Sequence, residues 1–166
     1  MTAPLRLAIA SCFMLSMGPA AAADVSDLLG SWSGRGTVSE GPGGQARRGA
    51  CNLSVQGGEA SVTLSGRCAG PGKAASFGGT ISQHGSSSVS ARFSSPGRPS
   101  VSYSGTQNGS SVTMRSTSSI TVDGKTYRFQ LQIQSHGSNS FSMTQNATEI
   151  GTGRRSQVLN MVFQKK

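Results

Sequence analysis

The stretch Tyr127-Arg128-Phe129-Gln130-Leu131-Gln132-Ile133-Gln134 alternates apolar and polar side chains through eight residues without a fault. A helix, with its period of 3.6, cannot hold that pattern on one face. A strand, with a period of two, puts Tyr127, Phe129, Leu131 and Ile133 on one side and the polar residues on the other. One dry face and one wet face is the mark of antiparallel sheet laid over a core. The same rhythm returns in Arg48–Gln56, Ala60–Cys68, Val89–Phe93 and Gln157–Phe163, and glycine-rich turns separate the runs. Asn108-Gly109 and Asp123-Gly124 are the strongest hairpin signals, since both favour the primed turns that match strand twist. The chain reads as about nine or ten short strands with no long helix. The expected fold is all-β: a single antiparallel meander closing into a small 8–10-stranded barrel.

The first strand is predicted within Leu28-Leu29-Gly30-Ser31-Trp32-Ser33-Gly34-Arg35-Gly36-Thr37-Val38, which holds the one tryptophan. Trp32, Gly34, Gly36 and Val38 share a face, so Trp32 is expected to plug the core, with glycines where a curved sheet bends. Ahead of it, Asp24–Leu29 has room for one helical turn capped by Asp24 or Ser26, too short to matter by itself. The core is expected to be anchored on Trp32, Tyr127, Phe129, Leu131 and Phe163. A Gly-x-Trp-x-Gly first strand behind a leader, followed by a cysteine pair on the next hairpin, resembles small secreted β-barrels of proteobacterial envelopes. Lipocalin-like and avidin-like barrels open on a similar strand. The resemblance implies a barrel whose mouth takes a ligand. Only Gly30, Trp32 and Gly34 match, so no ligand residue is carried over.

Residues 1–23 read as a secretory signal: Arg6, then an apolar run over Leu7–Met17, then Ala21-Ala22-Ala23 before Asp24. The run is too short to span a membrane. A competing reading takes Ile9-Ala10-Ser11-Cys12 as a lipobox and Cys12 as the anchor of a lipoprotein. The protein is expected to be secreted or periplasmic, with residues 24–166 as one β-barrel domain and no transmembrane segment. Leu, Ile, Val and Phe make up 25 of those 143 residues, fewer than the one in five below which disorder competes. The strict alternation of those few argues for a fold. The formal net charge of the whole chain is +9, and removal of Arg6 leaves +8.

Cys51 and Cys68 remain beyond the leader, and an oxidising compartment makes a disulfide between them the expectation. The bridge sets a register. A tight turn at Gly57-Gly58 would leave Cys51 opposite Leu64 and the two cysteines out of reach. A bridge requires opposed residue numbers that sum to 119, pairing Leu53 with Gly66 and Val55 with Leu64. That register leaves Gly57–Ser61 as a wider loop or bulge.

Chemistry-bearing residues are sparse. His84 and His136 each precede a glycine at a predicted turn, in two similar stretches, Ile81–Ser90 and Ile133–Ser142, which read as reuse of one favourable hairpin. Two histidines without a third ligand do not make a metal site, and no metal or cofactor is expected. The serines lack a nucleophile elbow and the six carboxylates are scattered, so no catalytic residue is named and no enzyme is expected. Nucleic acid is excluded as a partner, because the aromatics alternate inward and the leader exports the chain. Arg47, Arg48, Arg154 and Arg155 are the candidate anion-binding residues, set against the plainer reading of a solvated basic surface. The expectation is a non-enzymatic barrel that binds a small apolar ligand or an anionic envelope component. A protein-binding module such as a periplasmic protease inhibitor is the alternative, and oligomeric state stays open.

Overall fold

Strand-forming alternation runs from one end of the described chain to the other, and the backbone obeys it. The computed structural model describes residues 24–70 and 73–166; the leader and the Cys12 lipobox fall outside them. After a one-turn 3₁₀ helix, Val25–Leu28, come β1 (Gly30–Val38), β2 (Arg47–Gly58), β3 (Ser61–Gly70), β4 (Lys73–His84), β5 (Ser88–Ser94) and β6 (Val101–Asn108). They are followed by β7 (Ser111–Ser116), β8 (Ile120–Val122), β9 (Lys125–Ser135), β10 (Ser140–Glu149) and β11 (Arg155–Lys165). Each strand pairs antiparallel with its neighbour, and β11 returns to pair with β1, so the sheet closes into a ten-stranded barrel. Closure removes the free edges that an open meander would expose.

The extra strand is β8. Tyr127 on β9 pairs with Ile120 of β8 and also with Glu149 of β10, while β7 pairs with β9 further along, from Ser111 with Gln134 to Arg115 with Gln130. β8 therefore covers the edge of β9 that β7 leaves bare. Asp123 and Gly124, both at positive φ (52° and 75°), make the two-residue turn between β8 and β9.

Cys51 lies opposite Cys68 and the two are bridged, with Leu53 on Gly66 and Val55 on Leu64. The expected wide loop is absent. The ladder continues to Gly58 opposite Ser61, and the turn is the two residues Glu59-Ala60. Gly57 makes this possible at φ +140°, where an added Cβ would strike the Ser61 carbonyl. The β6–β7 turn also differs from expectation: Asn108 pairs with Ser111, so the turn is Gly109-Ser110 with Gly109 at φ +54°. A glycine at the first central position suits the other primed turn, and Asn108 stays in the ladder.

The core fills one half of the barrel. Trp32 is 1% exposed and meets Phe141 edge-to-face at 4.8 Å, and Phe141 stacks on Phe163 at 4.7 Å. Leu53, Val55, Val62, Leu64, Ile81, Val89, Val112 and Ile133 pack around them. The helical turn matters more than its length suggested. Asp24 caps it and Asp27 bonds back to the Asp24 N–H, while Val25 and Leu28 are buried against the core. The Trp32 indole N–H donates to the Leu28 carbonyl at 2.8 Å. Four residues thus close one end of the barrel, here called the plug end. The other end, where β1 finishes and β2 begins, is the mouth.

Candidate functional site

Inward-facing residues near the mouth are treated differently from those below. Phe77, Phe93, Val101, Phe129, Leu159 and Cys68 pack on the core yet remain half-buried. Ala75, which alternates inward with Phe77, is exposed. Phe129, expected deep in the core, belongs to this mouth layer. Trp32, Leu131 and Phe163 are buried in the core, and Tyr127 is buried at the rim. Two of the mouth rings lie along the wall. Phe77 is opposite Gly66 and Phe93 opposite Gly79, and each ring occupies the space a side chain at that glycine would take.

The floor of the mouth is polar at one point. Tyr103 reaches from β6 to β10, where its hydroxyl accepts from the Gln145 side-chain amide at 2.7 Å, and its ring meets Phe93 edge-to-face at 5.8 Å. Burial, partly opposed by the Gln145 bond, pushes the Tyr103 phenol up to about 12. Ser116, also buried, accepts the Phe129 N–H at 3.0 Å.

The rim carries charge. The strand ends and turns around the mouth hold Arg47, Arg48, Lys73, Arg98, Lys125, Arg154 and Arg155 against Glu40, Asp123 and Glu149. The plug end holds Asp24, Asp27 and Glu59 with Lys165 and Lys166. All four arginines named from the sequence therefore stand at the mouth, Arg47 and Arg48 at the start of β2 and Arg154 and Arg155 at the start of β11, the two strands that flank β1. The Gly43 N–H ties the β1–β2 loop to Ser156 of β11 at 3.0 Å. Lys73 pairs with Glu40 at 3.1 Å and Lys125 with Glu149 at 3.3 Å; among the described residues none of the five rim arginines has an ion pair. The Lys73 pair is well exposed, and contacts of that kind are weak and screened.

Two depressions bear on this end. One, of about 270 Å³, sits in the rim between Pro42, Gly43, Val122, Lys125, Tyr127, Glu149 and Arg154. A wider and very open one, of about 800 Å³, lies over β1–β3 beside Arg35, Thr37 and Arg48. The histidines stand at the plug end, where His84 bonds Ser90 at 2.8 Å and His136 bonds Ser142 at 3.1 Å. The echo between the two stretches is thus one hairpin used twice, with the same His–Ser contact. Sequence reasoning missed Phe77, Phe93, Tyr103 and Gln145 as neighbours, because β6 meets β10 only once the barrel closes.

The fold and the mouth together define the class: a closed antiparallel β-barrel, capped by a helical turn at one end and ringed by basic side chains at the other. No protein-family model and no curated protein sequence matches the chain. Among solved structures, the crystal structure of Rv2717c from M. tuberculosis is similar, with a TM-score of 0.61 at 16% identity over 85% of this chain and 94% of that one. At that identity the likeness is one of fold.

Proposed function

We propose that this protein is a non-enzymatic binding barrel for a small amphipathic anion. The apolar part of the ligand enters the mouth against Phe77, Phe93, Val101, Phe129 and Leu159, and its anionic group rests among the rim arginines. The observation that carries this reading is that Phe77, Phe93, Val101, Phe129 and Leu159 stay only part-buried at the mouth, while Trp32, Phe141 and Phe163 at the plug end are 1% exposed, and that five rim arginines near them have no ion pair among the described residues. Apolar walls with a few convergent polar groups are what small-ligand sites present. Tyr103 and Gln145 offer such polar groups at the floor. The bridged cysteines and the leader-like residues 1–23 support an exported protein.

The test is calorimetric titration with decyl phosphate and with uncharged decyl maltoside, both below their critical micelle concentrations. The charged amphiphile should bind at least tenfold more tightly, a difference of about 1.4 kcal/mol. Replacing Phe77 and Phe93 together by Ala should abolish binding of both. Equal affinity for the two ligands removes the anion from the reading, and no binding of either refutes it.

A further inference from the structure

Among the described residues, Ile150 and Val162 are the large apolar side chains left exposed, at 49% and 46%. Val162 stands on the barrel wall; Ile150 stands at the mouth, as the first residue of the turn between β10 and β11. The turn holds its shape through three bonds. Ile150 N–H donates to the Thr126 carbonyl at 2.8 Å, Glu149 N–H to Arg154 at 2.9 Å, and Gly153 N–H to Glu149 at 3.0 Å. The exposed Ile150 side chain is therefore carried on a backbone fixed by a bonded turn. Arg154 and Arg155 follow directly, and neither has an ion pair among the described residues.

The other cations of this end belong to other loops. Arg47 and Arg48 start β2, Arg98 lies between β5 and β6 with its guanidinium bonded to the Glu40 carbonyl at 3.3 Å, and Lys125 starts β9. Pro42 and Val122 add apolar surface to the neighbouring loop tips. Cations spread around a ring of loop ends, with an aliphatic tip among them, complement an extended flat anion; a single acidic side chain or peptide would need them gathered in one patch. Arginines that meet anionic headgroups while an apolar residue enters the acyl boundary are the ordinary means of interfacial binding. The opposite end sets Asp24, Asp27 and Glu59 against Lys165 and Lys166, so the mouth, with seven cations against Glu40, Asp123 and Glu149, is the more attractive of the two ends.

We propose that the mouth end docks on an anionic lipid bilayer, with Ile150 entering the interface and Arg154, Arg155, Arg47 and Arg48 resting on the headgroups. The proposal rests on the amphiphile-binding reading and names the surface that would supply the ligand. Docking by this end points the mouth at the bilayer, so a lipid-like ligand passes into the lumen without crossing water.

The experiment is co-sedimentation of the protein with vesicles of equal parts phosphatidylglycerol and phosphatidylcholine, and with vesicles of phosphatidylcholine alone. The protein should pellet with the anionic vesicles at low salt, stay in solution with the neutral ones, and be released in 0.5 M salt, where the screening length is roughly half its 0.1 M value. Arg154→Gln with Arg155→Gln should lower vesicle affinity by about tenfold or more. Ile150→Ser should lower it severalfold. Lys165→Gln with Lys166→Gln, at the plug end, should change it less than twofold. Wild-type protein that does not pellet at low salt, or rim variants as tight as wild type, overturns the proposal. So does polyglutamate binding as strong as vesicle binding and indifferent to Ile150→Ser, which would make the partner an acidic polymer. Decyl phosphate titration of the same variants separates the two readings: Ile150→Ser should keep the soluble amphiphile, and the Phe77/Phe93 double variant should keep the vesicles.

Discussion

The two ends of the barrel are built from the same alternating strands and reach opposite results. At the plug end, Trp32, Phe141 and Phe163 fill the lumen, a four-residue turn seals it, and Lys165 lies over the Trp32 ring at 5.5 Å. At the mouth, Phe77 and Phe93 lie along the wall on glycines, and among the described residues no helix covers them. The aromatic content is similar. What differs is how far each ring is covered: Phe163 also faces a glycine, Gly34, but stacks on its cross-strand neighbour Phe141 and is 1% exposed, whereas Phe77 and Phe93 stay partly exposed. Packed lumen supplies stability, and unpacked lumen is what a ligand can use.

That contrast is broken most sharply by truncating one ring at each end. Trp32→Ala should cost about 3–5 kcal/mol, because a full side chain is lost from a packed site whose neighbours cannot collapse. Phe77→Ala should cost less, about 1–2 kcal/mol, since the ring is partly exposed and a smaller cavity is left behind. Urea melts of the two variants check the pair. Similar losses would mean that the mouth is packed as tightly as the plug end.

Opening the disulfide tests how the two halves are joined. Cys51 is buried and Cys68 is half-buried at the mouth, so the bridge sits where packing gives way to the open lumen. Cys51→Ser with Cys68→Ser should destabilise by about 3 kcal/mol for a loop of this length. The readout is the urea midpoint, compared with that of wild type in reductant.

A smaller effect belongs to Tyr103. Its folded-state pKa, about 12, stands above the ordinary value of 10, so the stability that comes from keeping it neutral is complete below pH 10 and is lost as pH rises from 10 to 12. The loss should amount to about 2–3 kcal/mol. Tyr103→Phe should remove this alkaline decline specifically, which pH-dependent melts would show. A decline of the same size in Tyr103→Phe would assign it to other groups.

The fold was legible because the period-two pattern is local: any eight residues such as Tyr127–Gln134 announce a strand and its dry face. The register of β2 on β3 was legible too, since a covalent bridge restricts the choices to one sum. The misses have physical sources. The plug is Val25 and Leu28, two apolar residues in one turn, too few to show periodicity before the barrel end they fill is known. The turn at Gly109-Ser110 slid past the expected dipeptide because a register shift of two keeps every side chain on its face, while the tight turn at Glu59-Ala60 was missed within the correct register because pairing through Gly57 needs its φ of +140°. Alternation also says that Phe129 points inward without saying how deep, and depth separates a core ring from a mouth ring. Gathering Arg47, Arg48, Arg154 and Arg155 at one end follows from strand direction, but their shared rim needs the closing pair β1–β11.

The central claim is that the lumen is dry and full at one end and available at the other. The five phenylalanines of the described chain divide along that line, Phe77, Phe93 and Phe129 at the mouth and Phe141 and Phe163 at the plug. Fluorine NMR of the protein labelled with 4-fluorophenylalanine, titrated with decyl phosphate below its critical micelle concentration, reads both sets at once. The account predicts that the three mouth signals shift in a saturable way while the Phe141 and Phe163 signals stay in place. Mouth signals that do not move, or all five moving together, would contradict it.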